Sequence, residues 1–438
     1  MAVAQPRPAR PAADAAARGA GVSETAADGG RIATLDIVRG FSVMGILAMN
    51  IVGFAMPQAA YLNPMAYGTE GPADIASWVF SFILIDGKMR GLFSFLFGAS
   101  LLLVVERAEA SGRNPAAVHY SRMAWLLVFG LIHFYLIWWG DILSLYAPVG
   151  MLAFAFRRFE PRQLLHIGSF LILVQFLLFA WFTLGLFQMA AEAAAPGASA
   201  ATIAAWASAQ EGIGPYAPAR LAEILAGFRG PWLGIVVTNG VENGGEPLIS
   251  LWQFGGETLA YMLFGMAALK SGFLTGAWAD RAYARTAAIG FGIGIPAYAV
   301  FAWLILRDHF GVPMLVAASI AAPVLTRPPM IVAIAALVIL LTRRRGGLTL
   351  RIAAAGRAAF SNYLGTSLLM TASFYGWGFG LYGHLSRIQL WIPVVAAWAL
   401  MLLWSKPWLD RFNYGPFEWL WRSLARRRLE PMRKRAAA

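Results

Sequence analysis

The chain has 438 residues, 59% of them hydrophobic, with a mean hydropathy of +0.61, and its 35 Lys and Arg against 22 Asp and Glu give a net charge of +13. This apolar excess argues against a string of soluble domains and for an all-α polytopic transmembrane bundle: apolar stretches of about twenty residues suit a spanning helix, not a barrel strand of ~10. Cysteine is absent, which excludes disulfides, thiolate metal sites and cysteine nucleophiles, and the basic residues border apolar spans, so they read as topology signals rather than a nucleic-acid surface.

Residues 1–30, rich in Ala, Gly, Pro and Arg, lack the apolar core of a signal peptide and are expected to form a disordered cytoplasmic tail. An N-terminal membrane bundle over 31–190 follows. Its first span runs from Ile37 to Met56, preceded by five arginines up to Arg39 and followed by a loop, Pro57 to Pro72, without Lys or Arg. That asymmetry places the N-terminus inside. Residues 73–105 are nearly all apolar yet carry Asp86, Lys88 and Arg90. Two complete spans here would put Arg107, Arg113, Arg122, Arg157, Arg158 and Arg162 outside, against the positive-inside rule. We therefore read 73–86 as interfacial or re-entrant and 88–105 as one crossing.

The later spans are 122–139, 142–156, 163–190, 250–269, 286–306, one ending near 342, 357–376 and 390–405, ten crossings in all. Cytoplasmic loops then hold Arg157, Arg158 and Arg162; Lys270, Arg281 and Arg285; and Arg343, Arg344 and Arg345. Arg327, Pro328 and Pro329 interrupt the eighth crossing and are expected to mark its outer end. The segment 191–247 is too polar to span and lies outside, with one short helix near Pro218 to Phe228. A C-terminal membrane bundle over 248–422 and a basic cytoplasmic tail over 423–438, with Arg426, Arg427, Arg428, Arg433, Lys434 and Arg435, complete the chain. Both termini are thus cytoplasmic. No fixed-period repeat or phosphate-binding glycine pattern is present.

Ionisable groups inside a bilayer are costly and usually face a cavity or a partner. Asn50, Lys88, Arg90, His133, Asp141 and Glu257 fall within or beside the outer halves of their spans. His133 and Asp141, eight residues apart, share a face if the helix from Ser121 continues through Gly140. A carboxylate beside the imidazole would hold its tautomer and raise its basicity, and the alternative is a hydrogen-bonded packing histidine. Lys88 and Arg90 suit a phosphate or carboxylate, or else snorkel to headgroups. Glu257, with Tyr261 one turn on, is either a proton carrier or a structural partner for one of these cations. The stretch from Gly415 to Arg422 has the pattern of an interfacial anchor, and Asn362 and Tyr363 suit helix-to-helix hydrogen bonding or a polar opening.

Five motifs, LDIVRGFSVMGILAMNI (Leu35 to Ile51), KMRGLFSFLFG (Lys88 to Gly98), HFYLIWWGDIL (His133 to Leu143), GRAAFSNYL (Gly356 to Leu364) and FNYGPFEWLWR (Phe412 to Arg422), resemble the YeiB-like family of bacterial multipass inner-membrane proteins, a domain of unknown function. More distantly, LDIVRG at the entry to a first span is similar to membrane acyltransferases. O-acetylating relatives carry an Arg and, eleven residues later, a His; here Asn50 stands at that distance from Arg39. Heparan-α-glucosaminide-type enzymes have that Asn and a His a further eleven residues on, where this chain has Tyr61.

The resemblance implies acyl transfer from a cytoplasmic coenzyme A thioester, with no covalently bound cofactor and no metal. His133 would stand in for the missing histidine as general base, Asn50 would polarise the thioester carbonyl, and Asp36 and Arg39 would meet the donor's phosphate-bearing end. Lys88, Arg90 and Glu257 would serve substrate binding. The acceptor would be an envelope glycan, lipid or small molecule, and the expected partners are membrane lipids rather than nucleic acid. A second reading is a transporter or exporter, with Lys88, Arg90, His133, Asp141 and Glu257 lining a path. A third is an assembly or sensing protein without turnover.

Overall fold

The computed structural model describes residues 32–344 and 346–434. The expected N-terminal tail, Arg345 and Arg435 lie outside the described residues. Numbering the helices of eight residues or more, α1 is Ala33–Ala55, α2 Pro72–Leu84, α3 Lys88–Ala110, α4 Pro115–Leu136, α5 Leu143–Ala153 and α6 Pro161–Ala194. Then come α7 Ala200–Gln210, α8 Pro218–Phe228, α9 Trp232–Glu242, α10 Glu246–Lys270, α11 Asp280–Arg307 and α12 Pro323–Leu341. The last four are α13 Gly347–Arg357, α14 Ala359–Phe374, α15 Trp391–Arg411 and α16 Pro416–Arg426.

The chain is a polytopic helical bundle. Among the described residues, seven helical stretches are long and apolar enough to cross a membrane, with α2 and α3 counted as one. The other three expected crossings correspond to α5, α10 and α14. Outward-facing Leu177, Trp181, Leu184 and Trp252 are exposed in the isolated chain, as suits surfaces whose solvent is lipid.

Local chemistry explains the helix limits. Pro72 and Pro115 occupy first-turn positions, where the missing N–H costs nothing. Asn114 caps α4 by accepting from Ala116 N and Ala117 N at 3.0 and 3.2 Å. The break expected between Asp86 and Lys88 occurs over Ile85–Gly87, where Gly87 has φ +67°, a left-handed conformation that only glycine adopts easily. A side chain there would also overlap the Arg327 guanidinium.

Glycines set the two tightest crossings. A methyl group on Gly98 would overlap the Met262 carbonyl, and one on Gly265 would overlap the Phe95 carbonyl, so α3 and α10 touch backbone to backbone. The same reciprocity joins α1 to α13: Gly40 faces the Ile352 carbonyl and Gly356 the Asp36 carbonyl. In a bilayer, where apolar burial between helices gains little, such close packing is a main source of cohesion. One apolar core, running from Leu35 to Met401, draws on nearly every long helix.

Three expectations need correction. α4 does not continue through Gly140 but stops at Leu136. Segment 191–247 carries three helices, α7 to α9, rather than one. α12 runs straight through Pro328 and Pro329, and Arg327 is a buried interior residue instead of an outer boundary. Neighbouring helices hold the chain helical there: Gly290 and Gly294 of α11 let α12 approach at Pro329 and Met330.

The arginine-bearing turns gather on one face. Lys270 Nζ donates to the Arg157 and Phe159 carbonyls at 2.8 and 2.6 Å, and Arg343 pairs with Asp280 at 2.7 Å. The start of α1 lies on this same basic face, where Gly276 adjoins Thr34, and the last described residue, Lys434, donates through its backbone N to the Arg411 carbonyl at the end of α15.

Gly98→Leu and Gly265→Leu should each destabilise by more than the ~1–3 kcal/mol of ordinary overpacking, because the obstacle is backbone. Gly185→Ala, which has open space around it, should be neutral or better. Thermal unfolding and monodispersity in detergent micelles would measure the difference.

Candidate functional site

After α4 ends at Leu136, Ile137 N and Trp138 N both return to the His133 carbonyl, at 3.0 and 2.8 Å, and turn the chain back on itself. The turn carries Asp141 to the imidazole. His133 Nδ1 lies 2.8 Å from Asp141 Oδ1, while Asp141 Oδ2 accepts from Ser144 N at 2.6 Å in the first turn of α5. The expected pair therefore forms through a hairpin and not through a shared helical face. An ionised carboxylate only accepts hydrogen bonds. The proton at the contact accordingly belongs to Nδ1, which leaves the lone pair on Nε2. His133 is fully buried, and its Nε2 has no hydrogen-bond partner among the described residues.

Aromatic rings hold the imidazole in place. The Tyr363 ring lies 5.1 Å and the Trp138 ring 6.2 Å from that of His133. Trp138 is itself stacked on Phe54 at 3.9 Å and donates to the Gly53 carbonyl of α1 at 3.1 Å. Asn50, one turn earlier on α1, lines a small cavity with Tyr363, Thr366 and Ser367. Asn50 and His133 thus share Tyr363 as a neighbour. Tyr61 donates to Asn50 Oδ1 at 3.2 Å, so the residue standing where the heparan-type pattern has its histidine does meet the asparagine.

Cavities approach this cluster from opposite ends. On the basic face, a cavity of about 300 Å³ is entered past Asp36, Arg39, His119 and Arg122 and ends at Ile142, Leu143 and Tyr363, beside Asp141. Arg39 is held by Asp36 at 3.1 Å and Ser100 Oγ at 2.6 Å. At the far end of α1, a vestibule of about 810 Å³ opens beneath α7, α8 and α9. Its floor includes Gln58 and Trp139, and its walls carry Glu211, Arg220, Glu223 and Glu242. Trp139 packs on Trp138 and Tyr61, with ring centroids 5.7 and 6.4 Å away. Trp139 thus joins the vestibule lining to Trp138 and Tyr61, which in turn meet His133 and Asn50.

Lys88, Arg90 and Glu257 form a separate cluster that lines neither cavity. Glu257 is fully buried between Arg90, at 2.8 Å, and Arg327, and it accepts from the Tyr261 hydroxyl at 2.6 Å. Lys88 is fully buried, donates to the Phe82 carbonyl at 2.5 Å and lies over the Tyr298 ring at 3.2 Å, so it does not snorkel. Arg327 is the member that sequence reasoning missed. An arginine inside an apolar span was the available signal, obscured by the two prolines that follow it.

Two further motifs meet at the basic face. Glu418 accepts from Phe360 N, Ser361 N and Ser361 Oγ at 2.7, 3.1 and 2.5 Å, tying α16 to the start of α14. The Asn362 side chain bonds the Ala355 carbonyl, Ser405 and Trp404, a helix-to-helix role. α16 turns inward instead of merely anchoring at an interface: Trp421 donates to the Arg122 carbonyl at 2.8 Å, and the Arg122 guanidinium lies over its ring at 4.0 Å. Behind it, buried Glu430 collects Arg426, Arg428 and Arg422 at 2.9, 3.1 and 3.6 Å.

Sequence comparison agrees with the motifs. The chain is 34% identical over 414 residues to the uncharacterized protein YeiB of Escherichia coli K12, an alignment spanning 92% of this chain and 98% of that one. The chain belongs to the YeiB-like family. It is also 31% identical over 415 residues to the uncharacterized protein YxaH of Bacillus subtilis 168, across 92% of this chain and 96% of that one. The family model described as "Protein of unknown function (DUF418)" matches residues 268–428. No solved structure matches. Within this YeiB-like chain the matched region supplies Arg327, Tyr363 and Glu418, whereas Asn50, His133, Asp141 and Glu257 come from the part before it. The cluster around His133 therefore needs both. Among the described residues, no group of three or more His, Asp or Glu is placed to hold a metal ion.

Glu257→Gln should destabilise by roughly 3–5 kcal/mol, since it leaves two guanidiniums buried without a counter-charge, as thermal unfolding in micelles would show. Burial opposes ionisation of Glu430, but hydrogen bonds from Arg426 and Arg428 outweigh it and hold the carboxyl below its usual range. Its contribution to tail docking is complete above the ordinary carboxylate pKa and is lost as pH falls through the depressed folded value. Peptic cleavage after α16 should therefore begin only in strong acid, and Glu430→Gln should open Arg427 and Arg428 to trypsin at neutral pH.

Proposed function

We propose that this protein is a transmembrane acyltransferase that moves an acyl group from a thioester donor in the basic-face cavity to a hydroxyl or amine entering from the opposite vestibule. The observation that carries this reading is the buried His133, which meets Asp141 through Nδ1 and has no Nε2 partner among the described residues, with Tyr363 on the lining of the basic-face cavity to one side and Trp138 and Trp139 leading to the vestibule on the other. In this scheme Nε2 takes the acceptor's proton as its oxygen or nitrogen attacks the thioester carbonyl. The new C–O or C–N bond forms, the C–S bond breaks, and the proton passes from the imidazolium to the leaving thiolate. Tyr61 occupies Asn50 Oδ1, so the amide nitrogen of Asn50 remains to donate to the developing oxyanion.

We read the basic face as the cytoplasmic one, because its turns carry the arginines, in a bacterial inner membrane. The donor is then a cytoplasmic coenzyme A thioester, and the acceptor an envelope glycan, lipid or small molecule. Transport is the weaker reading, because Lys88, Arg90 and Glu257 engage internal partners away from both cavities.

The test is acetyl-coenzyme A turnover by protein in lipid discs supplied with candidate acceptors. His133→Ala should lower turnover by ~10²–10⁴-fold, and Asn50→Ala should also lower it, each measured on protein that remains folded and monodisperse in micelles. Native-level turnover in His133→Ala would refute the assignment. Absent turnover combined with solute flux across sealed vesicles would establish transport instead.

A further inference from the structure

Beside the basic-face cavity lies an annex of about 230 Å³ lined by Arg107, Arg113, Arg122, Arg422 and Arg426, with no carboxylate among its described lining residues. We propose that this annex binds the phosphate or diphosphate group of an extended amphiphilic ligand whose remainder lies in the adjoining cavity.

The argument starts from charge. No carboxylate lies within ion-pair distance of Arg113 or Arg122 among the described residues, and the one close partner of the Arg122 guanidinium is the face of Trp421. Arg422 and Arg426 share Glu430 with Arg428, one negative charge among three positive ones. Like charges gathered at a partly desolvated site repel one another unless an anion joins them. A guanidinium presents a planar pair of donors that matches phosphate oxygens, and several converging from three helices and the turn at Arg113 suit a group carrying more than one negative charge.

Shape supplies the rest. Val104, Arg107, Arg122 and Arg422 line both the annex and the larger cavity, so the two adjoin. The larger cavity continues past Leu101, Met123 and Leu126 toward Tyr363. Arg122 and His133 lie on the same helix eleven residues apart, a distance of about 16 Å at helical rise. A ligand anchored by its phosphates must therefore present its reactive end along an extended arm, and a compact phosphate ester could not reach. This location also revises the expected phosphate contact, since Arg39 is already held by Asp36 and Ser100. The anion site stands on these observations alone; only the assignment of its ligand as acyl donor rests on the transfer reading.

Titration calorimetry on protein in discs of neutral phosphatidylcholine, with coenzyme A and with pyrophosphate, tests the site. The expected result is saturable, salt-sensitive coenzyme A binding for which pyrophosphate competes, weakened roughly tenfold each by Arg113→Gln and Arg426→Gln. Arg113 is exposed, so its variant should fold normally. If vesicles of phosphatidylglycerol bind in competition with pyrophosphate while coenzyme A does not, the phosphate site stands with a lipid source and the donor assignment falls. No saturable binding of any of the three, or binding unchanged in both variants, would overturn the proposal. If the native protein binds coenzyme A saturably yet turns it over with none of the acceptors, the anion site stands and the transfer reading falls.

Discussion

Where α3 crosses α10, and where α1 crosses α13, two backbones meet with no side chain between them. The rest of the bundle is arranged around these contacts. The first brings Glu257 of α10 within reach of Arg90 on α3, and Arg327 completes the cluster from α12. The second lays the LDIVRG segment against the helix that precedes GRAAFSNYL, which places Asp36 and Arg39 in the wall of the same cavity as Tyr363. Hydrocarbon offers helices little reason to associate beyond packing and hydrogen bonding, so a missing Cβ at each crossing has consequences for every polar group that depends on the approach.

Polar groups in this interior divide by what they face. Glu257, Arg90, Arg327, Tyr261 and Lys88 engage one another or nearby carbonyls and rings, and they line neither large cavity. This arrangement connects α3, α10 and α12. His133 is different: one ring nitrogen is engaged by Asp141, the other by nothing among the described residues, and cavities approach from both ends. Residue types that look alike in the sequence, an isolated charge or imidazole in an apolar span, thus differ by their surroundings: Arg90 and Arg327 pair with Glu257 across helices, whereas His133 meets Asp141 of the following hairpin.

Much of the scaffold was legible in advance. The apolar stretches were found as helices, although α4 begins at Pro115 and α11 at Asp280, one to two turns before the expected 122 and 286, and the arginine-bearing turns do gather on a single face. The break before Lys88 and the helix at Pro218–Phe228 were found where they were expected. The misreadings share one origin: each judged a segment from its own residues. Arg327 with its two prolines looked like a boundary, yet glycines on α11 let α12 pack closely through it. The FNYGPFEWLWR segment, expected as an interfacial anchor, is an amphipathic helix that also reaches the cavity through Glu418 and Trp421, a contact its own residues did not announce.

The sequence by itself determined that the chain is a polytopic helical bundle, because hydropathy, charge asymmetry and helix-ending residues act over a few turns and need no knowledge of the neighbours. It also supplied His133 and Asp141 as a pair, although for the wrong local reason. Tertiary structure decided what those residues do together. The hairpin after Leu136 joins carboxylate to imidazole, Tyr61 reaches Asn50, and Tyr363 arrives from more than two hundred residues away to stand beside both. Such contacts depend on how closely separate helices can approach, a property of matched surfaces that no single segment carries.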